Sequence, residues 1–275
     1  MELTNHSPST IAAVTRGRNA CTCKDAAVKL TVIGCSPAWP NPGGAQSGYL
    51  VESEQSLLLD CGPGVLSRLR EQTGAWPEAW PEPDSIAITH FHLDHWGDLV
   101  PWVWGWIHAN GLGGNHDRPE LWVPPNGKQR LEVFGSELGF PDMFERVFRI
   151  SEYAPGVPFT TAGHTITAAR MPHYTVESYG FRVSANGSTL AYSGDSAPGQ
   201  HLSDLARDVD LFVCEATLST GDRDGEPRGH LSLDEAQEAF EGSGARRLLI
   251  THRPSELDTP AHFELASDGL VLEIL

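Results

Sequence analysis

Residues 89–95 read Thr-His-Phe-His-Leu-Asp-His and directly follow a short apolar run. Such a run predicts a buried strand, and the chain from Asp94 onward has helical composition. Because side chains alternate along an extended strand end, His90 and His92 point the same way. Asp94 and His95 follow the bend into the helix and can face a second point nearby. The stretch therefore predicts two sets of metal ligands side by side.

The residue types in this stretch suit particular metals. Imidazole nitrogen and carboxylate oxygen bind zinc, and they also accept manganese or iron. A histidine-rich surface loop or a purification tag would share the composition. A tag would be a terminal run of one residue, however, whereas residues 89–95 lie inside the chain after a strand. We therefore interpret the stretch as a metal motif.

From Val28 onward, short apolar runs alternate with turns, and helices lie between some of the strands. Predicted strands cover residues 28–33, 48–52, 56–60, 85–89, 165–170, 178–183, 189–193, 211–214 and 247–251. Predicted helices cover 65–72, 202–207 and 233–240. Asn186-Gly187 predicts a tight hairpin turn. This order of strands and helices along the chain predicts a single domain with an α/β fold and a layered core.

Composition and charge limit the class of protein. The chain is 40% apolar and 20% charged, as in ordinary globular proteins. Residues 1–28 are polar and aperiodic, so we interpret them as an N-terminal extension before a domain at 29–275. No run approaches the roughly 20 apolar residues of a membrane span, and residues 1–28 lack the apolar core of a secretory signal. We expect a cytoplasmic protein without a membrane partner.

A formal net charge of −17 argues against extended nucleic-acid binding. The chain has 19 Lys and Arg against 36 Asp and Glu, and this surface repels phosphate backbones. Small anionic substrates need only a local pocket and are compatible with the charge.

His90-x-His92-x-Asp94-His95 resembles the signature of the metallo-β-lactamase superfamily. That resemblance implies a four-layer αββα sandwich with metals at one edge of two packed sheets. The family also uses a later His, a bridging Asp and a final His, each at a strand end. The sequence offers, in this order, His173, Asp195 and His252.

The resemblance also implies a dinuclear site that uses a metal-bridging hydroxide as nucleophile. Two divalent ions are expected, with zinc first and manganese or iron as alternatives. The implied ligands are His90, His92 and His173 for one ion, Asp94, His95 and His252 for the other, and Asp195 between them. A bridging carboxylate offsets the repulsion between two dications.

Two further segments resemble the phosphodiesterase branch of this superfamily, which includes ribonuclease Z. They are Cys214-Glu215-Ala216-Thr217 and Gly229-His230-Leu231-Ser232. A Glu215 carboxylate bound to His230 could set the tautomer of the ring, and His230 could then protonate the leaving oxygen. With Asp94, these two are the expected catalytic residues. Ser232 also suits a helix N-cap, with Glu235 completing a capping box.

Members of this branch differ in the size of the substrate that they bind. Ribonuclease Z enzymes usually carry a protruding basic arm, for which the 22 residues from His173 to Asp195 leave no room. The pattern resembles compact bacterial members described as cyclic-nucleotide phosphodiesterases, so we expect a small or cyclic phosphodiester as substrate. Three alternatives stay open: a ribonuclease Z-like endonuclease, a lactone or thioester hydrolase, and a non-catalytic metal-binding protein.

Trp102, Trp104 and Trp106 form the last unusual feature. If the segment is helical, Trp102 and Trp106 share a face and Trp104 points elsewhere. We favour core packing or a homodimer interface for this cluster over an aromatic wall for a substrate base.

Overall fold

The computed structural model describes residues 27–275, so the predicted extension at 1–28 lies outside the described residues except for its last two. Its thirteen described strands are β1 (Val28–Gly34), β2 (Gly48–Glu52), β3 (Ser56–Leu59), β4 (Ser85–Ala87), β5 (Glu120–Val123), β6 (Arg149–Glu152), β7 (Phe159–Thr161), β8 (His164–His173), β9 (Val176–Ala185), β10 (Ser188–Tyr192), β11 (Leu211–Glu215), β12 (Leu248–Thr251) and β13 (Val271–Ile274). The α-helices are α1 (Val65–Glu71), α2 (Leu93–Trp96), α3 (Leu99–Gly111), α4 (Gly127–Glu137), α5 (Met143–Val147), α6 (Gln200–Leu205) and α7 (Leu233–Ser243).

The strands form two mixed sheets. One sheet has the order β13-β1-β2-β3-β4-β5-β6, and the other has the order β12-β11-β10-β9-β8-β7. Apolar side chains from both sheets, such as Tyr49 and Phe181, meet in a central core. A second core packs helices α1 to α5 on the first sheet, and a third packs α6 and α7 on the second. These layers confirm the predicted αββα sandwich.

Strand direction determines where functional side chains collect. In the second sheet β10, β11 and β12 are parallel, and β8 runs the same way because β9 is antiparallel to both β8 and β10. In the first sheet β3 and β4 are parallel. The carboxyl ends of parallel strands lie at one edge of a sheet, which is the edge where open α/β sheets bind ligands.

Every predicted strand is present, but four were not predicted: β5, β6, β7 and β13. Each has only three or four residues, and β6, β7 and β13 lie at sheet edges where polar and apolar residues mix. Helices α4 and α5 were also missed. The hairpin turn is confirmed, because Asn186 and Gly187 have φ values of 50° and 86°, as a type I′ turn requires.

The tryptophan cluster lies on α3, with Trp102 in the core and the partly buried Trp104 and Trp106 packed against it. Trp102 is fully buried and meets Trp80 edge to face, with ring centroids 6.1 Å apart. Trp104 packs against Phe140, and the Trp106 indole donates to the Asp117 carbonyl. In the part of the chain that the structure describes, no helix is both long and apolar enough to cross a membrane.

Two glycines of α3 provide a matched test of this packing. A Cβ at Gly105 would lie 2.0 Å from a ring carbon of Trp80, whereas one at Gly111 would meet nothing within 4 Å. We expect Gly105→Ala to lower the free energy of unfolding by about 1–3 kcal/mol through overpacking. Gly111→Ala should raise it by up to about 1 kcal/mol through helix propensity. Urea unfolding of both variants measures the difference, and equal stabilities would contradict the packing.

Candidate metal centre

All seven predicted metal ligands converge at the shared edge of the two sheets. His90, His92, Asp94 and His95 follow β4, and the short helix α2 carries the last two. His173 ends β8, Asp195 comes three residues after β10, and His252 directly follows β12. Six of the seven side chains are buried, and His92 is partly exposed.

Asp195 lies at the centre of the group, with its two oxygens facing different partners. Oδ2 is 3.8 Å from His90 Nε2 and 3.7 Å from His173 Nε2. Oδ1 is 3.3 Å from His95 Nε2 and 3.6 Å from His252 Nε2. A carboxylate placed in this way can bridge two cations.

The other ligands complete two compact sets around Asp195, with all potential donor atoms of a set within 4.8 Å of one another. In one set, His92 Nδ1 is 2.9 Å from His173 Nε2. In the other, Asp94 Oδ2 is 3.1 Å from His252 Nε2 and 3.4 Å from His95 Nε2.

Four of the five histidines use their second ring nitrogen for a hydrogen bond that orients the ring. The partners are Thr89 Oγ1 for His90, Asp60 Oδ2 for His95, the Gly229 carbonyl for His173 and Thr217 Oγ1 for His252, at 2.7–3.1 Å. Outer partners of this kind fix the tautomer of a metal-ligating histidine and leave the other nitrogen free to bind.

The side-chain atoms that have no hydrogen-bond partner are suited to bind a divalent metal ion. Among the described residues, His90 Nε2, His95 Nε2 and Asp195 Oδ1 are buried without a hydrogen-bond partner, which is costly unless a cation satisfies them. Burial lowers the pKa of His90 and of His173, so both rings keep the lone pair that a metal needs. Burial alone would raise the pKa of Asp195, but the neighbouring His252 and His95 hold it well below its usual range.

Asp60 is an orienting residue to which the sequence analysis assigned no role. Oδ2 accepts from His95 Nδ1 at 2.7 Å and from the Tyr192 hydroxyl at 2.8 Å, while Oδ1 accepts from the Thr89 amide at 2.8 Å. The side chain is fully buried, and its backbone has a φ of 59°. Its position directly after β3 was the available signal, since that strand is parallel to the one before the histidines.

Glu215 and His230 form a pair beside the predicted metal ligands. His230 Nδ1 lies 3.0 Å from Glu215 Oε1 and 4.0 Å from Asp195 Oδ2. Glu215 is fully buried and also accepts from the backbone amides of Ser196 and Leu231. Burial lowers the pKa of His230, but the Glu215 carboxylate outweighs that effect, and the pKa rises to about 9.

Asp60 can be tested through metal affinity. In Asp60→Asn, an amide N–H replaces an acceptor beside His95 and Tyr192, so the His95 tautomer that leaves Nε2 free loses its support. We expect zinc affinity to fall by about 10–100-fold. Competition with a chromophoric chelator measures it. Asp84→Asn is the matched control, because Asp84 accepts from Ser56 away from the centre and should leave affinity unchanged.

Comparison with known proteins identifies the family. The family model described as beta-lactamase superfamily domain matches residues 55–253. Protein Rv1339 of Mycobacterium tuberculosis is 33% identical over 253 residues, which cover 86% of this chain and 89% of that protein. Ribonuclease Z of Myxococcus xanthus is 26% identical, over 90% of this chain and 98% of that protein.

YhfI of Bacillus subtilis is similar in both sequence and structure. This probable metallo-hydrolase is 30% identical over 232 residues, covering 82% of this chain and 87% of that protein. Its crystal structure, described as a metallo-beta-lactamase fold protein, superposes with a TM-score of 0.75 and covers 90% of this chain and 100% of that one. The chain therefore belongs to the beta-lactamase superfamily and is a metallo-hydrolase with a His/Asp metal-binding cluster.

Proposed function

We propose that this metallo-hydrolase is a cytoplasmic phosphodiesterase that uses two divalent ions, zinc first, to cleave small or cyclic phosphodiesters. The observation that carries the proposal is the Glu215–His230 pair. The centroid of the His230 ring lies 4.9 Å from that of the His173 ring and 5.7 Å from that of the His252 ring. A proton donor therefore lies next to both ligand sets. A phosphodiester with an alkoxide leaving group needs such a donor.

In this proposal, seven side chains would hold the two ions. His90, His92 and His173 would hold one ion, Asp94, His95 and His252 the other, and Asp195 both. When bound, the ions would polarise the phosphoryl group and convert water into a nucleophile near neutral pH.

The proton comes from the chain itself. Glu215 Oε1 accepts from His230 Nδ1, which orients the ring and favours its charged form. His230 Nε2 has no hydrogen-bond partner among residues 27–275 and is therefore free to protonate the leaving oxygen. Glu215 is a positioning residue, because it acts through the imidazole.

The short chain interval between His173 and Asp195 favours a small substrate. The segment between His173 and Asp195 is occupied by β9, a two-residue turn and β10. An RNA-gripping arm therefore has no place in this interval, and the net charge of −17 disfavours a long polyanion.

A second candidate is an RNA 3′-processing endonuclease, which the 26% identity to ribonuclease Z supports. Its test is cleavage of precursor transfer RNA, with affinity falling steeply as salt rises. RNA cleavage without turnover of small diesters would replace the first proposal.

Zinc- or manganese-loaded protein is expected to hydrolyse bis(p-nitrophenyl) phosphate and to contain close to two metal ions per chain. Asp94→Ala should lower turnover by at least about a thousandfold, because a ligand to one of the ions is lost. Release of p-nitrophenolate and elemental analysis measure the two quantities. Two bound ions with no turnover would refute the phosphodiesterase proposal and leave a lactone or thioester substrate to be tried.

His230→Ala separates acid catalysis from metal binding through the leaving group. Hydrolysis of adenosine 3′,5′-cyclic phosphate should fall by about 10²–10⁴-fold, because its alkoxide needs a proton. Hydrolysis of bis(p-nitrophenyl) phosphate should fall far less, since p-nitrophenolate leaves without one. Comparing kcat for the two substrates measures the effect, and equal losses would show that His230 is not the acid.

A further inference from the structure

Tyr174 directly follows the ligand His173 and has an unusual backbone. Its φ is 47°, in the left-handed region that is costly for a bulky side chain. Its amide donates to the Arg228 carbonyl at 3.0 Å. A strained residue persists only where its surroundings hold it, and such residues cluster at functional sites.

Contacts on three sides fix the Tyr174 ring beside the centre. The ring centroid is 4.9 Å from that of His173 and 5.5 Å from that of His230. The hydroxyl donates to Asp224 Oδ1 at 3.0 Å, and Asp224 Oδ2 accepts from the backbone amides of Gly229 and His230. A Cβ at Gly229 would lie 2.4 Å from the ring, so only glycine lets the ring lie this close.

Despite these contacts, Tyr174 stays 39% exposed. It lines a cleft of about 450 Å³ that also reaches His173, Arg170 and His201. Arg170 is exposed and makes no ion pair within residues 27–275. An aromatic face and a cation therefore border the same opening next to a metal ligand, in a chain that is otherwise strongly acidic.

We propose that Tyr174 is a specificity-determining residue that stacks on the nucleobase of a nucleotide substrate held at the metal centre. The inference rests on the proposed function and adds the substrate class, a phosphodiester with a purine or pyrimidine base. A ring already held by Asp224 and Gly229 loses little entropy when a base stacks on it. Of the tryptophans of α3, which could have formed such a stacking surface, Trp102 is buried in the core, and Trp104 and Trp106 pack against that core.

The test measures binding of a base, separately from turnover. Calorimetric titrations of the zinc-loaded protein use adenosine 5′-monophosphate and ribose 5-phosphate, in which a hydroxyl replaces the base. Wild type should bind the nucleotide about tenfold more tightly, the order expected for one base stacked on an aromatic side chain. Tyr174→Asn should remove most of this preference. Asparagine tolerates a positive φ, so the variant keeps the backbone.

Two further variants separate stacking from a structural role. Tyr174→Phe loses the bond to Asp224 but keeps the ring, and it should retain the preference. Phe140→Asn removes another exposed aromatic ring, one that packs against Trp104, and it should also retain the preference.

The proposal is overturned if wild type binds both ligands equally, or if Tyr174→Asn keeps the preference. It is also overturned if Tyr174→Phe loses the preference as fully as Tyr174→Asn does, because the hydroxyl bond would then be the cause. A base preference that depends on Tyr174, in a protein that turns over no phosphodiester, would support the base-stacking role of Tyr174 and refute the phosphodiesterase proposal alone.

Discussion

The Asp195 carboxylate, buried among imidazoles, is the constraint on which the rest of the structure depends. Four histidine nitrogens lie within 3.8 Å of its two oxygens, and a divalent cation would satisfy the buried atoms of that group that have no hydrogen-bond partner. Four of the five histidine rings of this centre are oriented from behind by a hydrogen bond to the second ring nitrogen. The hydrogen bonds to Asp60, Thr89, Thr217 and the Gly229 carbonyl supply that orientation.

These outer partners also join the layers of the sandwich. Asp60 follows β3 of one sheet and accepts from Tyr192 of β10 in the other. The Tyr49 hydroxyl on β2 meets Thr251 Oγ1 at the end of β12, at 2.5 Å. The ligands therefore come from both sheets, and the same contacts that close the core place them. Packing and metal binding are coupled here, since a shift of one sheet against the other would pull apart the members of each ligand set.

Three of the seven described non-glycine residues with a positive φ lie at this edge. Asp60 and His252 have φ values of 59° and 52°, and Tyr174 has 47°. Each lies directly after a strand, where the chain must turn sharply to aim a side chain at the centre or hold it beside the centre. Such conformations are costly for non-glycine residues and persist because the surrounding hydrogen bonds determine them. These turns lower the free energy of unfolding, and in return they hold the side chains of the site in a fixed geometry.

The sequence by itself determined a layered α/β core and the His90–His95 motif, and the resemblance of that motif to the superfamily predicted the αββα sandwich, the seven converging side chains and the Glu215–His230 pair. Apolar strand runs and the His90–His95 motif are local signals, and strand ends of equal direction must share one edge. Only the tertiary structure decided the orienting role of Asp60, the burial of Trp102 and the exposure of Tyr174. Each of these depends on contacts between residues far apart in the chain. Short edge strands such as β7 and β13 likewise carry too few residues for a periodic pattern, and pairing with a neighbour creates them.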